Sequence, residues 1–252
     1  SSMARTRRDH LWLRKHASPN ENLHLQDATT AYGVLSVVGP KSRELLAKLM
    51  DADMSNEAFA FGTGKDLYLG HAPVWAQRVS FTGELGWEVF VTPDFADYVL
   101  QLIMQEGQRL DLRLMGGEAL NALRIEKGYL HWGHDMSYTD ASHQVGLSFL
   151  CTKSVDFVGR QATIQRKAEA EGAILCHLVL DDKRPMLHHN EPVLMDGEVV
   201  GFVTSGAYAY SRQSAVGLCL LKLSREEVKG GSFSVLIEGE AYAVQVSTKS
   251  TF

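Results

Sequence analysis

Near residue 175 the texture of the chain changes, and that change restricts the fold more than any other feature. From there CHLVLDD, EPVLMDGEVVGFVTSG, AVGLCLLKL and GSFSVLIEGEAYAVQVS follow one another as short, largely apolar runs. Asp196-Gly197, Gly230-Gly231 and Glu238-Gly239-Glu240 punctuate them, and such pairs favour the tight turns of β-hairpins. The pattern predicts an all-β module at the C-terminal end.

The part before it alternates helix and strand signals. Residues 4–16 read as a basic helix, with Leu11 and Trp12 as core contacts. LHLQDAT is a strand or an extended lead-in. YGVLSVVGP, 32–40, is a β-branched strand ended by Gly-Pro. The helix PKSRELLAKLMDA puts Leu45, Leu46, Leu49 and Met50 on one face. SNEAFAFGTGKDL reads as turns and APVWAQRVSF as a strand. TPDFADYVLQLIMQEGQRL predicts an amphipathic helix capped by Thr92 or Asp94, with Tyr98, Leu102 and Met104 near one stripe. GGEALNALRIEKGY predicts a third helix, stopped by Gly128.

Composition excludes several classes. The chain of 252 residues carries a net charge of −5 with no strongly basic half, so nucleic-acid binding has no electrostatic support. No apolar run approaches the roughly 18 residues that cross a membrane. Cys151, Cys176 and Cys219 are odd in number and form no CxxC, which argues against a disulfide framework and for a reducing compartment, the cytoplasm or a mitochondrial matrix. Cys176 and Cys219 fall in strand patterns and read as core.

Two stretches are dense in chemistry. FTGELGWEVF, 81–90, sets Glu84 and Glu88 beside two glycines and an indole. A carboxylate there suits a ligand with adjacent N–H groups, such as a pterin or guanine-like ring, since one carboxylate accepts both. Paired acids also suit general acid–base chemistry, and a plain hairpin with solvated acids fits the same spacing. ALNALRIEKGYLHWGHD, 119–135, borders the apolar stripe of its helix with Arg124. Such an arginine needs a carboxylate or an anionic ligand. Glu84, Glu88 or a substrate tail would serve, as would a surface pair with Glu118 or Glu126. His131 and His134 with Asp135 lack a third ligand at metal-site spacing, so no metal is expected. His188 and His189 read as surface residues, and Ser205 sits in no nucleophile elbow.

Taken together and in order, FTGELGWEVFV, ALNALRIEKGYLHWGHD and EPVLMDGEVVGFVTSGAYAYSRQSAVGLCLL resemble the aminomethyltransferase (glycine-cleavage T-protein) superfamily. ELGWE, EKGYLHWGHD and DADMSNEAFAFGT are most similar to the tetrahydrofolate-binding C-terminal region of dimethylglycine and sarcosine dehydrogenases. The resemblance implies an α+β cloverleaf: two α+β, ferredoxin-like units within 1–160, intertwined, and a C-terminal β-barrel-like domain over 161–252. It implies that Glu88, with Glu84 as the second candidate, grips the pterin edge. It also implies that Phe81, Arg124, Tyr129 and Phe149 line the folate site. The activity implied is transfer of a formaldehyde equivalent from a small methylated amine donor to tetrahydrofolate, forming 5,10-methylenetetrahydrofolate. FAD is expected only with a separate flavin dehydrogenase domain or subunit, because no G-x-G-x-x-G occurs in this sequence.

The sequence departs from that family at two places. The catalytic Asp of the family lies before the YGVLSVVGP strand, and Asp27 does not match its position. The resemblance therefore implies that this Asp precedes the start of the chain, that the first unit is incomplete, and that no catalytic residue can be named. Relatives read TPLEAGL where this chain has ASHQVGL, so Gln144 replaces a Glu. A non-catalytic relative serving as a regulatory or scaffold subunit, and a tetrahydrofolate-dependent demethylase, are the alternative readings.

Overall fold

The computed structural model describes residues 5–151, 154–169 and 172–250. The chain divides into two compact units, residues 1–80 with 85–112, and residues 81–84 with 113–252. The sequence instead suggests a break at 160/161. The compact division comes earlier because the helix at 117–126 packs on strands of the C-terminal barrel.

The first unit is built on a four-stranded antiparallel sheet. Its strands are β1 (Gly33–Val38), β2 (Gly64–Leu69), β3 (Ala72–Gln77) and β4 (Gly86–Val91), in the order β1-β4-β3-β2. Alternation sends Val37, Leu69, Val74, Ala76, Val89 and Val91 to one face. That face packs with α2 (Ser42–Leu49), through Leu45 and Leu46, and with α3 (Pro93–Gly107), through Val99 and Ile103. Trp87 is fully buried in the same core.

Three expectations need correction here. GKDL is not turn but the start of β2, where Lys65, Leu67 and Leu69 take alternate positions opposite β3. The deepest stripe of α3 is Val99, Ile103 and Gly107, one step round from Tyr98, Leu102 and Met104, and Thr92 makes no side-chain cap although Pro93 opens the helix. Leu11 and Trp12 on α1 (Thr6–His16) are half exposed, not core. Charged residues interrupt any apolar stripe on that helix, and Trp12 stacks on His16 of its own next turn, ring centroids 4.1 Å apart. Ala4, included in the expected helix, lies outside the described residues.

The second unit holds α4 (Gly117–Glu126), a long run of turns, α5 (Arg160–Glu169) and then strands β5 to β10, with the short helix α6 (Arg225–Gly230) between β8 and β9. The strands are β5 (Ile174–Leu180), β6 (Pro192–Met195), β7 (Glu198–Ala209), β8 (Ser214–Leu221), β9 (Phe233–Ile237) and β10 (Glu240–Ser247). They close into an antiparallel barrel in the order β10-β5-β8-β7-β6-β9, which leaves no open sheet edge. Cys176, Leu178, Leu180, Val203, Cys219, Leu221 and Val235 fill it. The outer face of β5, β7 and β8 adds Val179, Ala207 and Leu218, covered by Ile125 of α4. The all-β expectation for the C-terminal end is met, and closure is what the tertiary structure adds.

Burial sets the thiol chemistry. Desolvation pushes the Cys176 thiol up to about 12 and raises Cys219 well above its ordinary range. Both are inside the barrel, while Cys151 is partly exposed. A thiol-specific reagent at pH 8 should therefore label Cys151 alone in the native protein and all three cysteines in denaturant. Native labelling of Cys176 or Cys219 by mass spectrometry would contradict this barrel core.

Candidate functional site

The most constrained polar group of the second unit is Arg124. It sits on the last turn of α4, 3% exposed. Its Nη1 donates to Asp135 Oδ2 at 2.5 Å and to the Tyr129 carbonyl at 3.1 Å. Its Nη2 donates to Ser205 Oγ at 2.7 Å, and Nε to Asn121 Oδ1 at 2.9 Å. Asp135 is fully buried and accepts further bonds from Thr204 Oγ1 at 2.6 Å and from the His131 N–H at 2.8 Å. The pair thus joins α4, the loop 129–135 and β7. Sequence reading asks for a carboxylate or an anionic ligand beside Arg124, and the family resemblance puts it at the folate site. The structure commits its guanidinium to protein partners in a dry site, so Arg124 positions the loop that follows it. Asp135 sits 11 residues downstream in HWGHD, where it reads as a weak metal ligand. Ser205 and Thr204 are not identifiable as partners, because the contact with β7 spans about 80 residues of sequence.

The loop that this pair holds forms one wall of a cavity of about 470 Å³. Phe81, Tyr129 and Phe149 all line it, together with Leu130, Met136, Leu147 and Leu175. Phe149 is 74% exposed. Its polar lining is Lys127, His177, Arg225 and Thr248. The size lies within the roughly 300–1,000 Å³ usual for small-molecule sites, and the lining is mainly apolar and aromatic with few polar groups. Gly128 has a φ of +76° and closes α4, with the Tyr129 N–H donating to the Arg124 carbonyl at 2.8 Å. This turn aims Tyr129 at the cavity.

The two acids of FTGELGWEVF part company. Glu84 belongs to the second unit and pairs with the cavity residue Lys127 at 3.5 Å. Glu88 belongs to the first, half-buried on β4 opposite Ser36 of β1 and Gln77 of β3. Among the described residues its side chain has no hydrogen bond or ion pair. Trp75 and Phe90, 4.9 Å between centroids, lie in the neighbouring row of the same sheet. Gln144, the expected replacement of a Glu, is buried and accepts the Ala141 N–H at 2.7 Å, while its carbonyl accepts from Leu175 at the start of β5. It serves the loop's geometry.

Two measurements check this site. Arg124→Ala removes one member of a buried pair and leaves Asp135 charged and buried. Unfolding in urea should show a loss of about 3–5 kcal/mol, and a loss below 1 kcal/mol would mean the pair is solvated. Burial also holds the imidazole of His177 below its ordinary value of 6.5, against the opposing charge of Asp135. The unfolded chain takes up this proton just below pH 6.5 and the folded chain does so only at lower pH. Stability is therefore full above pH 6.5 and declines as pH falls toward the folded value. Urea midpoints measured across that window should fall less steeply for His177→Leu than for the wild type.

Residues 1–154 match the GCVT N-terminal domain, and residues 174–252 match the glycine cleavage T-protein C-terminal barrel domain. The 4-methylaminobutanoate oxidase (formaldehyde-forming) of Paenarthrobacter nicotinovorans is 36% identical over 225 residues, covering 88% of this chain and 27% of that protein. Mitochondrial dimethylglycine dehydrogenase of Homo sapiens is 34% identical over 236 residues, covering 92% of this chain and 27% of that protein. The chain thus spans about a quarter of the length of these relatives. The glycine cleavage system aminomethyltransferase T of Bartonella henselae superposes with a TM-score of 0.80 at 20% identity, over 96% of this chain and 64% of that one. By both family matches and by this fold, the chain belongs to the glycine cleavage T-protein family.

Proposed function

We propose that this chain binds tetrahydrofolate and serves one-carbon transfer to it, forming 5,10-methylenetetrahydrofolate, as the folate region of a dimethylglycine or sarcosine dehydrogenase-like protein. The observation that carries the reading is the common cavity of Phe81, Tyr129 and Phe149. Family resemblance nominates these residues from three separate stretches of sequence, and they share an aromatic-walled space of about 470 Å³. A flat heterocycle fits such walls, since ring faces stack and exclude water.

The residues divide the work. Phe81, Tyr129 and Phe149 hold the ring system. Arg124 keeps Tyr129 in place through the carbonyl bond and the pair with Asp135. Family resemblance, rather than the cavity lining, nominates Glu88 of the first unit as the acceptor for adjacent pterin N–H groups. Its carboxylate is half-buried and uncommitted among the described residues, whereas Glu84 is engaged by Lys127. When bound, tetrahydrofolate supplies the nitrogens that accept a carbon at the formaldehyde level. The donor is a small methylated amine, oxidised by a flavin dehydrogenase part of the same protein or of a partner subunit. Relatives named as a dehydrogenase and as a formaldehyde-forming oxidase support this arrangement.

Anaerobic calorimetric titration with tetrahydrofolate tests the reading. Binding at micromolar affinity or tighter is the expected outcome, and its absence overturns the proposal. Glu88→Gln should weaken binding by about 1.5–3 kcal/mol, the range for hydrogen bonds to a charged group. Glu84→Gln should cost far less. The reverse order would reassign the pterin acceptor to Glu84.

A further inference from the structure

On β5, pleating sends Cys176, Leu178 and Leu180 into the barrel and Leu175, His177 and Val179 outward. Leu175 and Val179 join the apolar cluster under α4. His177 stands between them as the one polar side chain of that row, 9% exposed, and it lines the cavity of about 470 Å³. The surrounding fold makes room for this ring. A Cβ on Gly128 would lie 2.2 Å from the imidazole Cε1, so only glycine at 128 leaves the imidazole its place. Among the described residues the ring has no hydrogen-bond partner. Its nitrogens are not sealed from solvent, so a molecule in the cavity can reach them.

The other polar groups of the wall limit what the ring is for. Lys127 and Arg225 donate hydrogen bonds and accept none. Apart from the hydroxyls of Tyr129 and Thr248, the imidazole is the wall's side-chain acceptor. We propose that His177 is a ligand-contact residue whose ring nitrogen accepts a hydrogen bond from an N–H of the tetrahydrofolate bound in this cavity. The proposal rests on the folate reading above and adds to it a contact on the barrel itself. Burial keeps the ring in its neutral, accepting form near pH 7, with Asp135 opposing and with Lys127 and Arg225 as the cations of the same wall.

The test compares the wild type, His177→Leu and His177→Gln by anaerobic calorimetry with tetrahydrofolate. In parallel, the wild-type His177 Cε1–H resonance is titrated with pH, with and without the ligand. His177→Leu should bind about three- to tenfold more weakly, as for one neutral hydrogen bond. His177→Gln, which keeps an acceptor, should recover most of that loss. In the wild type, saturating tetrahydrofolate should shift the imidazole's titration to lower pH, because the bond exists only with the neutral ring. A merely structural histidine would titrate identically in both conditions. Unchanged affinity in His177→Leu together with an unchanged titration overturns this contact and leaves the folate reading standing. Absence of tetrahydrofolate binding by the wild type overturns both. Should His177→Leu fail to fold, the wild-type titration decides alone.

Discussion

The second unit depends on one buried ion pair. Arg124 and Asp135 sit in a nearly dry site at 3% and 0% side-chain exposure, and a charge there is tolerable only because its partner is fixed. Bonds from Ser205 and Thr204 tie the pair to β7, and the His131 N–H ties it to the loop. That loop carries Tyr129 to the cavity. Helix, loop and barrel therefore share one electrostatic knot, which explains why α4 is inseparable from the barrel even though a domain boundary read from sequence falls well after it.

The cavity beside this knot shows how a small-molecule site is made from ordinary parts. A closed barrel supplies rigidity, because every strand edge is paired. The turn at Gly128 supplies reach, with a φ that side-chain-bearing residues avoid. Aromatic residues from three distant segments supply the walls. The polar groups are few: two cations, a hydroxyl-bearing pair and one imidazole. The chain is similar to mitochondrial dimethylglycine dehydrogenase over about a quarter of that protein's length, and this cavity is the basis of the folate proposal.

Much of this was legible in the chain's own periodicity. Short strands with Asp-Gly and Glu-Gly turns identify the C-terminal β-module, and Gly128 marks the end of α4, because turn chemistry and alternation are local. The quoted motifs were enough to bring Phe81, Tyr129 and Phe149 together as candidates. Where local signals competed, sequence reading went astray. GTGKDL looks like turn because its first residues are glycine and threonine, yet pairing with β3 makes it a strand. Trp12 looks like core because it is large and apolar, yet its helix buries no residue.

What the sequence determined by itself was the class of most segments, which follows from residue type and near-neighbour spacing, while its resemblance to the T-protein family nominated Phe81, Tyr129 and Phe149. Only the tertiary structure decided that Arg124 is spent on Asp135 and Ser205, that Glu84 pairs with Lys127 while Glu88 stays uncommitted among the described residues, and that His177 faces the cavity. Each of those outcomes depends on which groups meet across long stretches of chain. Burial then fixes the consequence, because a polar group removed from water must find its partner in the fold or in a ligand.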